Sequence, residues 1–362
     1  MVSSLRRQHA VFMGKTHTVE FAFGGLGVNS HWGTPRNPWD AKTHRVPGGS
    51  SCGAGVSIQE GSAMLALGSD TAGSVRVPAS MTGCVGLKTS FGRWSLEGIF
   101  PLSPTLDTAG ILTRSAEDAL FGFSAIDPAY HGRLDELLHQ VEGLEPGSIS
   151  ISSGDPNLWE GCEAGIAETV EDAIGELSRS GVRVIEVPVA ESKQAIEFFN
   201  MGSVPGIELK EFLQSELPEW LETADPVVGS RIKSSSSVDA AEYLRRLRIL
   251  KTLGAAVQDH FAKVDLIACP TIPICPPPLS QVSEVEGYVP RNVSSLRNTV
   301  VGNVLGLCGI TLPVGLDSAG MPVGFQLLGP HGSDAKLLTM ACRIEKILGT
   351  SRQRLGVAPC IK

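Results

Sequence analysis

Serine is the residue type that could do chemistry in "PGGSSCGAGVSIQEGSAMLALGSDTAGSVR", the stretch from Pro47 to Arg76. A serine hydroxyl is a weak nucleophile at neutral pH and needs a base within hydrogen-bond reach. The small residues around these serines could let successive backbone N–H groups converge on one point and stabilise a negative oxygen there. The residues alone leave several readings open. A phosphate loop fits badly, because no Lys-Ser/Thr follows Gly53 or Gly55 and no G-x-G-x-x-G occurs in the stretch. Gly49-Ser50-Ser51-Cys52-Gly53 does satisfy G-x-S-x-G, which would make Ser51 a nucleophile with an acid and His331 or His260 as partners. Such an elbow needs an apolar strand before it, and "AKTHRVPG" stands there instead. A purely structural reading, with glycines for turns and serines for caps, also accounts for the stretch.

The rest of the chain has to supply a scaffold. Its 362 residues are 42% hydrophobic and 19% charged, with 41 Gly and 23 Pro, which suits a loop-rich α/β protein with a sizeable core. A net charge of −8 argues against a general nucleic-acid or membrane-surface binder. Arg245, Arg246 and Arg248, close to Glu242, read as a solvated helix face. The eight cysteines are scattered without a CxxC pair, which points away from zinc and toward free buried thiols in a reducing compartment. No apolar run reaches the roughly 18–20 residues of a membrane span. The N-terminus lacks a signal-peptide pattern, so a cytoplasmic address is expected, with no metal and no cofactor.

The pattern predicts a helix end at "SSLRR", a short strand over Ala10–Met13, and a long Gly/Pro-rich loop from Phe21 to Pro47. A packed helix follows Gly53, with a strand near Met64–Leu67. Further strands are expected within 83–90 and ending at Thr113, after which Ser115 caps a helix with acids in its first turn. "SISIS", the helix ending at Gly181 and "VRVIEVPV" make a strand–helix–strand unit. Residues 191–263 read as mostly helical, with Ser237 capping the long helix that follows it. "VDLIACP" reads as a buried strand, "GITLPVGL" and "PVGFQLLG" as a hairpin-like pair, and Ser333 as the cap of a last amphipathic helix. The expected architecture is a single α/β domain over 1–362, a central mixed sheet with helices on both faces.

Several segments together carry a more specific message. "GKTHTVEFAFGG" (14–25), "GTPRNPWD" (33–40), "VPGGSSCGAG" (46–55) and "LALGSDTAGSVRVPAS" (65–80) occur in order. "GCVGLKTSFGRWSLEGIFPLSPTLDTAG" (83–110) and "LPVGLDSAGMPVGFQLLGP" (312–330) follow them. The chain strongly resembles the amidase signature family, with the signature core over about 14–115. The resemblance implies Ser–cis-Ser–Lys catalysis of carboxamide hydrolysis through an acyl-enzyme. Ser74 would be the nucleophile, Ser50 the proton relay behind a cis Gly49–Ser50 peptide, and Ser51 a support beside it. The amides of Thr71, Ala72, Gly73 and Ser74 would form the oxyanion hole, while Asp70 and Arg76 would fix the shape of the loop.

The family's lysine belongs to a strand well upstream of the "GKT" segment, and this sequence starts shortly before Gly14. The expectation is therefore an N-terminally shortened chain, with activity in doubt, in which Lys15, Lys42 and Lys88 do not hold the base's position. The implied partner is a small-molecule amide, with no nucleic acid bound directly and no membrane; a homodimer is one expected assembly. Two alternatives stand beside this reading. One is the amidase-like glutaminase subunit of a tRNA-dependent amidotransferase, and the other is a catalytically dead homologue.

Overall fold

Strands form where apolar residues run together or alternate: β1 Leu65–Asp70, β2 Val85–Lys88, β3 Thr108–Thr113 and β4 Ser150–Ser152. They continue with β5 Arg183–Ile185, β6 Leu266–Pro270, β7 Cys308–Leu316 and β8 Pro322–Gly329. The computed structural model describes every residue except Ser203, Ser236, Ser237 and Lys362. Within it these strands make one sheet in the order β1-β3-β2-β7-β8-β6-β4-β5. The sheet is mixed: β4 runs parallel to β5 and β6, and the other pairs are antiparallel.

Successive side chains of a strand face opposite ways, and β6 uses both faces. Leu266 and Ala268 join the core under Phe123, Val170 and Leu337, whereas Ile267 and Cys269 join the core under Val257, Leu296 and Val300. Leu327 and Leu328 of β8 divide in the same way. The single α/β domain with helices on both faces follows from that two-sided burial, because each apolar face has to be covered.

The helices that matter for the site are α1 Val2–Arg7, α2 Cys52–Glu60, α3 Arg76–Thr82 and α4 Ala116–Ile126. Ser115 caps α4 by accepting the Asp118 amide at 3.0 Å, with Glu117 and Asp118 in the first turn as expected. Four expectations need correction. Ala10–Met13 is not a strand: Val11 and Met13 are exposed and the segment pairs with nothing in the sheet. The strand placed near Met64–Leu67 starts one residue later and runs on to Asp70 through Gly68 and Ser69. Arg246 is not on a solvated face; it is buried, bonding Glu242 and the carbonyls of Gly202 and Met201. The helix Ala240–Ala256 is capped by Asp239, which accepts the Glu242 amide at 2.8 Å; Ser237 lies outside the described residues.

A buried acid joins the last long helix, Asp334–Leu348, to α4. One carboxyl oxygen of Glu345 accepts the Ala116 amide at 2.8 Å, while Oε1 has no partner among the described residues. Burial outweighs that hydrogen bond and pushes the carboxyl up from 4.5 to about 7. The folded state thus holds this proton more tightly than the unfolded chain does. The resulting stability is complete below the unfolded value and is lost as pH rises through about 7. Between about pH 5 and about pH 8 the natural chain should lose about 1–3 kcal/mol relative to Glu345→Gln. Urea unfolding of both proteins at the two pH values checks this, and parallel pH profiles would count against it.

Candidate active site

Two loops meet at the open end of β1. The first runs through Gly48, Gly49, Ser50 and Ser51 into α2, and its Gly49–Ser50 peptide is cis. Glycine is required at 49 by close approach, since a Cβ there would sit 2.6 Å from the Gly27 nitrogen. The Ser50 carbonyl accepts the amides of Val19 at 3.1 Å and Cys52 at 2.8 Å, which anchors the turn on both sides. The second loop leaves β1 after Asp70, carries Thr71 to Val75 and enters α3. The Ser51 amide donates to the Ser74 carbonyl at 3.2 Å, so Ser50, Ser51 and Ser74 are brought together, all three nearly inaccessible.

The second loop is held at three points. Asp70 receives the amides of Val75 and Arg76 and pairs with the Arg76 guanidinium through Nε at 3.0 Å and Nη2 at 2.9 Å. Arg76 gives two further N–H donors to Gln326 and Asn303, and both members of the ion pair are wholly buried. Burial raises the Asp70 carboxyl, but the charge and hydrogen bonds of Arg76 outweigh it and hold the group below its ordinary value. The Ala72 carbonyl accepts the Thr299 hydroxyl at 2.7 Å. The Thr71 hydroxyl donates to Asp107 at 2.5 Å. Asp70 and Arg76 are thus a structural ion pair with no direct opening to a ligand.

A cavity of about 730 Å³ opens beside Ser50, Ser51, Gly68 and Ser69. Phe21 stacks between Phe100 and Trp220 along its wall, with ring centroids 5.5 and 6.3 Å apart. Glu20 and His31 face one another across 3.0 Å on the same lining. The amidase family matches residues 1–338. The chain belongs to that family.

Among curated relatives, the 2-amino-5-chloromuconic acid deaminase of Comamonas testosteroni is 48% identical over 356 residues, covering 98% of this chain and 76% of that protein. A glutamyl-tRNA(Gln) amidotransferase subunit of Methylacidiphilum infernorum is 29% identical, covering 96% and 76%. A crystal structure described as an amidase superposes with a TM-score of 0.83 at 29% identity, covering 96% of this chain and 77% of that one.

Other candidates in this amidase-family chain have partners or surroundings of their own. His260 bonds Ser152 at 2.9 Å on β4 and His331 bonds the Gly306 carbonyl at 3.1 Å, so neither partners Ser51 in an elbow. Lys88 is wholly buried and donates to the carbonyls of Thr89 at 2.9 Å and Leu307 at 2.6 Å. Burial, then the charge of Arg76, lowers its ammonium to about 8. Lys15 and Lys42 are exposed. Burial pushes the Cys52 thiol up to about 12, so it packs as a small apolar residue and is not a reactive thiolate. Nothing in the sequence pattern singles out Asp107, Thr299 and Gln326, which the fold brings to the loop together with Asn303. Asn303 was the most findable, as a lone amide within the apolar helix Thr299–Val304.

Proposed function

We propose that this amidase-family protein releases ammonia or an amine from a small carboxamide through an acyl-enzyme on Ser74. The reading is carried by the meeting of the two serine loops through the Ser51 amide and the Ser74 carbonyl. The Ser74 oxygen attacks the carbonyl carbon as its proton passes to Ser50, which gives its own proton to a base. The carbonyl oxygen becomes an anion facing the amides of Thr71 to Ser74. The C–N bond then breaks, the departing nitrogen takes the proton back, and water releases the carboxylate. We do not assign Lys88 as the base, because its buried ammonium donates to the carbonyls of Thr89 and Leu307.

The Comamonas relative is named a deaminase, and loss of ammonia by C–N cleavage is common to both reactions. Ammonia release should therefore be assayed on primary carboxamides and on amino-substituted unsaturated acids. A fluorophosphonate should label the natural full-length protein on one serine, located by peptide mass mapping. Ser74→Ala should abolish the adduct and Ser51→Ala should only slow it. An adduct on Ser51 that survives Ser74→Ala overturns the assignment. Amide binding with neither adduct nor turnover would mark a silent homologue, and glutaminase activity that needs a co-purifying tRNA-binding protein would mark the amidotransferase reading.

A further inference from the structure

We propose that Asp107 is the positioning residue of the nucleophile loop, holding Thr71 so that the following amides stay aimed at one point. This rests on the acyl-enzyme reading above. Strands β1 and β3 pair antiparallel, and the last pair of their ladder is Asp70 with Thr108. The next cross-strand pair along the same register is Thr71 with Asp107, just past the ends of both strands. Backbone pairing stops where the nucleophile loop begins, and a side-chain pair continues it by one step.

The chemistry of the site calls for a carboxylate. One Asp107 oxygen accepts the Thr71 hydroxyl at 2.5 Å, and the other accepts the amides of Leu102 and Ser103, both at 3.0 Å. Three donors converge on one nearly buried group. The two amides need an acceptor oxygen, whereas the Thr71 hydroxyl can donate or accept, so what the carboxylate adds is a charge-assisted bond to Thr71 that an amide in its place would reduce to a neutral one. The 102–107 segment is itself braced from outside. Glu208, on the helix Val204–Glu216, accepts the hydroxyls of Ser103 and Thr105 and that of Tyr243 at 2.6 Å. Tyr243 stands on the helix Ala240–Ala256, so two helices from residues 204–256 support the segment that holds Thr71.

The other anchors lie on either side of Thr71: the Asp70 carbonyl accepts the Thr108 hydroxyl and the Asn303 amide, and beyond Thr71 the Ala72 and Ser74 carbonyls and the amides of Val75 and Arg76 are tied. Losing the Thr71 contact therefore frees the first residue of the loop while leaving both flanks tied. Hydrogen exchange of residues 71–75 and the rate of fluorophosphonate labelling should be measured together on the natural full-length protein. Thr71→Val is the primary variant because it keeps the volume; Asp107→Asn and Thr71→Ser accompany it. Thr71→Val should speed loop exchange by about tenfold and slow labelling by about tenfold, as loss of one buried charged hydrogen bond implies, and Asp107→Asn, which keeps a neutral bond to the Thr71 hydroxyl, should move both the same way by less. In steady state kcat should fall while KM changes by less than about twofold, because the loop serves the reacting oxygen more than ground-state binding. Thr71→Ser should restore both rates, and the double variant should be no worse than Thr71→Val alone. Unchanged loop exchange in Thr71→Val, or full additivity of the two variants, overturns the proposal. If the natural protein takes no label at all, the acyl-enzyme reading fails, while exchange and its rescue by Thr71→Ser still decide the role of Asp107.

Discussion

Replacing Arg76 with methionine should cost about 3–5 kcal/mol of folding stability, the scale for breaking a buried ion pair by removing one partner. Arg76 and Asp70 are both fully buried, and the methionine would leave the Asp70 carboxylate without its cation. Asn303 would still donate to Asp70 at 3.1 Å, and the amides of Val75 and Arg76 would remain, so the anion would be solvated but not neutralised. Lys88 softens the loss. Its ammonium is lowered by burial first and by the Arg76 charge second, so removing Arg76 lets Lys88 hold its proton more firmly near Asp70. The orphaned amide oxygens of Gln326 and Asn303, which lose the guanidinium, act in the opposite sense. Urea unfolding of Arg76→Met, Asp70→Asn and the double variant measures the coupling. The double variant should recover at least about 1 kcal/mol relative to the sum of the singles. Additive losses would mean that the pair is held for packing alone.

The legible part of this molecule was the part written in local pattern. The buried strand β6, the Ser115 cap and the hairpin-like β7–β8 pair all depend on residues close in sequence. The family resemblance did more: it pointed to Ser50, Ser51 and Ser74 together, which no periodicity could have joined. What escaped was long-range polar pairing. Asp107 reads as one acid in a loop until the β1–β3 register sets it opposite Thr71, and Thr299 reads as an ordinary helix residue until its hydroxyl meets the Ala72 carbonyl. Arg246 misleads for the same reason, because its two carbonyl acceptors lie at Met201 and Gly202, far away in sequence. Ala10–Met13 fails for the converse reason. An apolar run of strand type has no strand character without a neighbour, and none of the eight strands pairs with it.

Gly73→Ala should leave the fold intact and lower the rate of Ser74 labelling by about 10²–10³-fold, the usual scale for losing one oxyanion donor. Two separate penalties fall on this position. Its φ of +137° belongs to a region that side chains rarely adopt, at a cost on the order of 1–3 kcal/mol. A Cβ would also stand 2.2 Å from the Thr299 Oγ1 and 2.7 Å from the Thr299 Cβ. Thr299 cannot simply turn aside, since its hydroxyl also binds the Ala72 carbonyl at 2.7 Å and so fixes the peptide just before Gly73. The cheapest relief is therefore movement of the loop away from the helix Thr299–Val304, which rotates the Gly73 and Ser74 amides out of alignment. Thr299→Gly separates the causes. Combined with Gly73→Ala it removes both Thr299 contacts but keeps the unfavourable φ, and it gives up the hydrogen bond to Ala72. If the clash dominates, the double variant should label faster than Gly73→Ala alone. If the backbone conformation dominates, it should label no faster, and the left-handed turn at Gly73 is then what the nucleophile loop cannot do without.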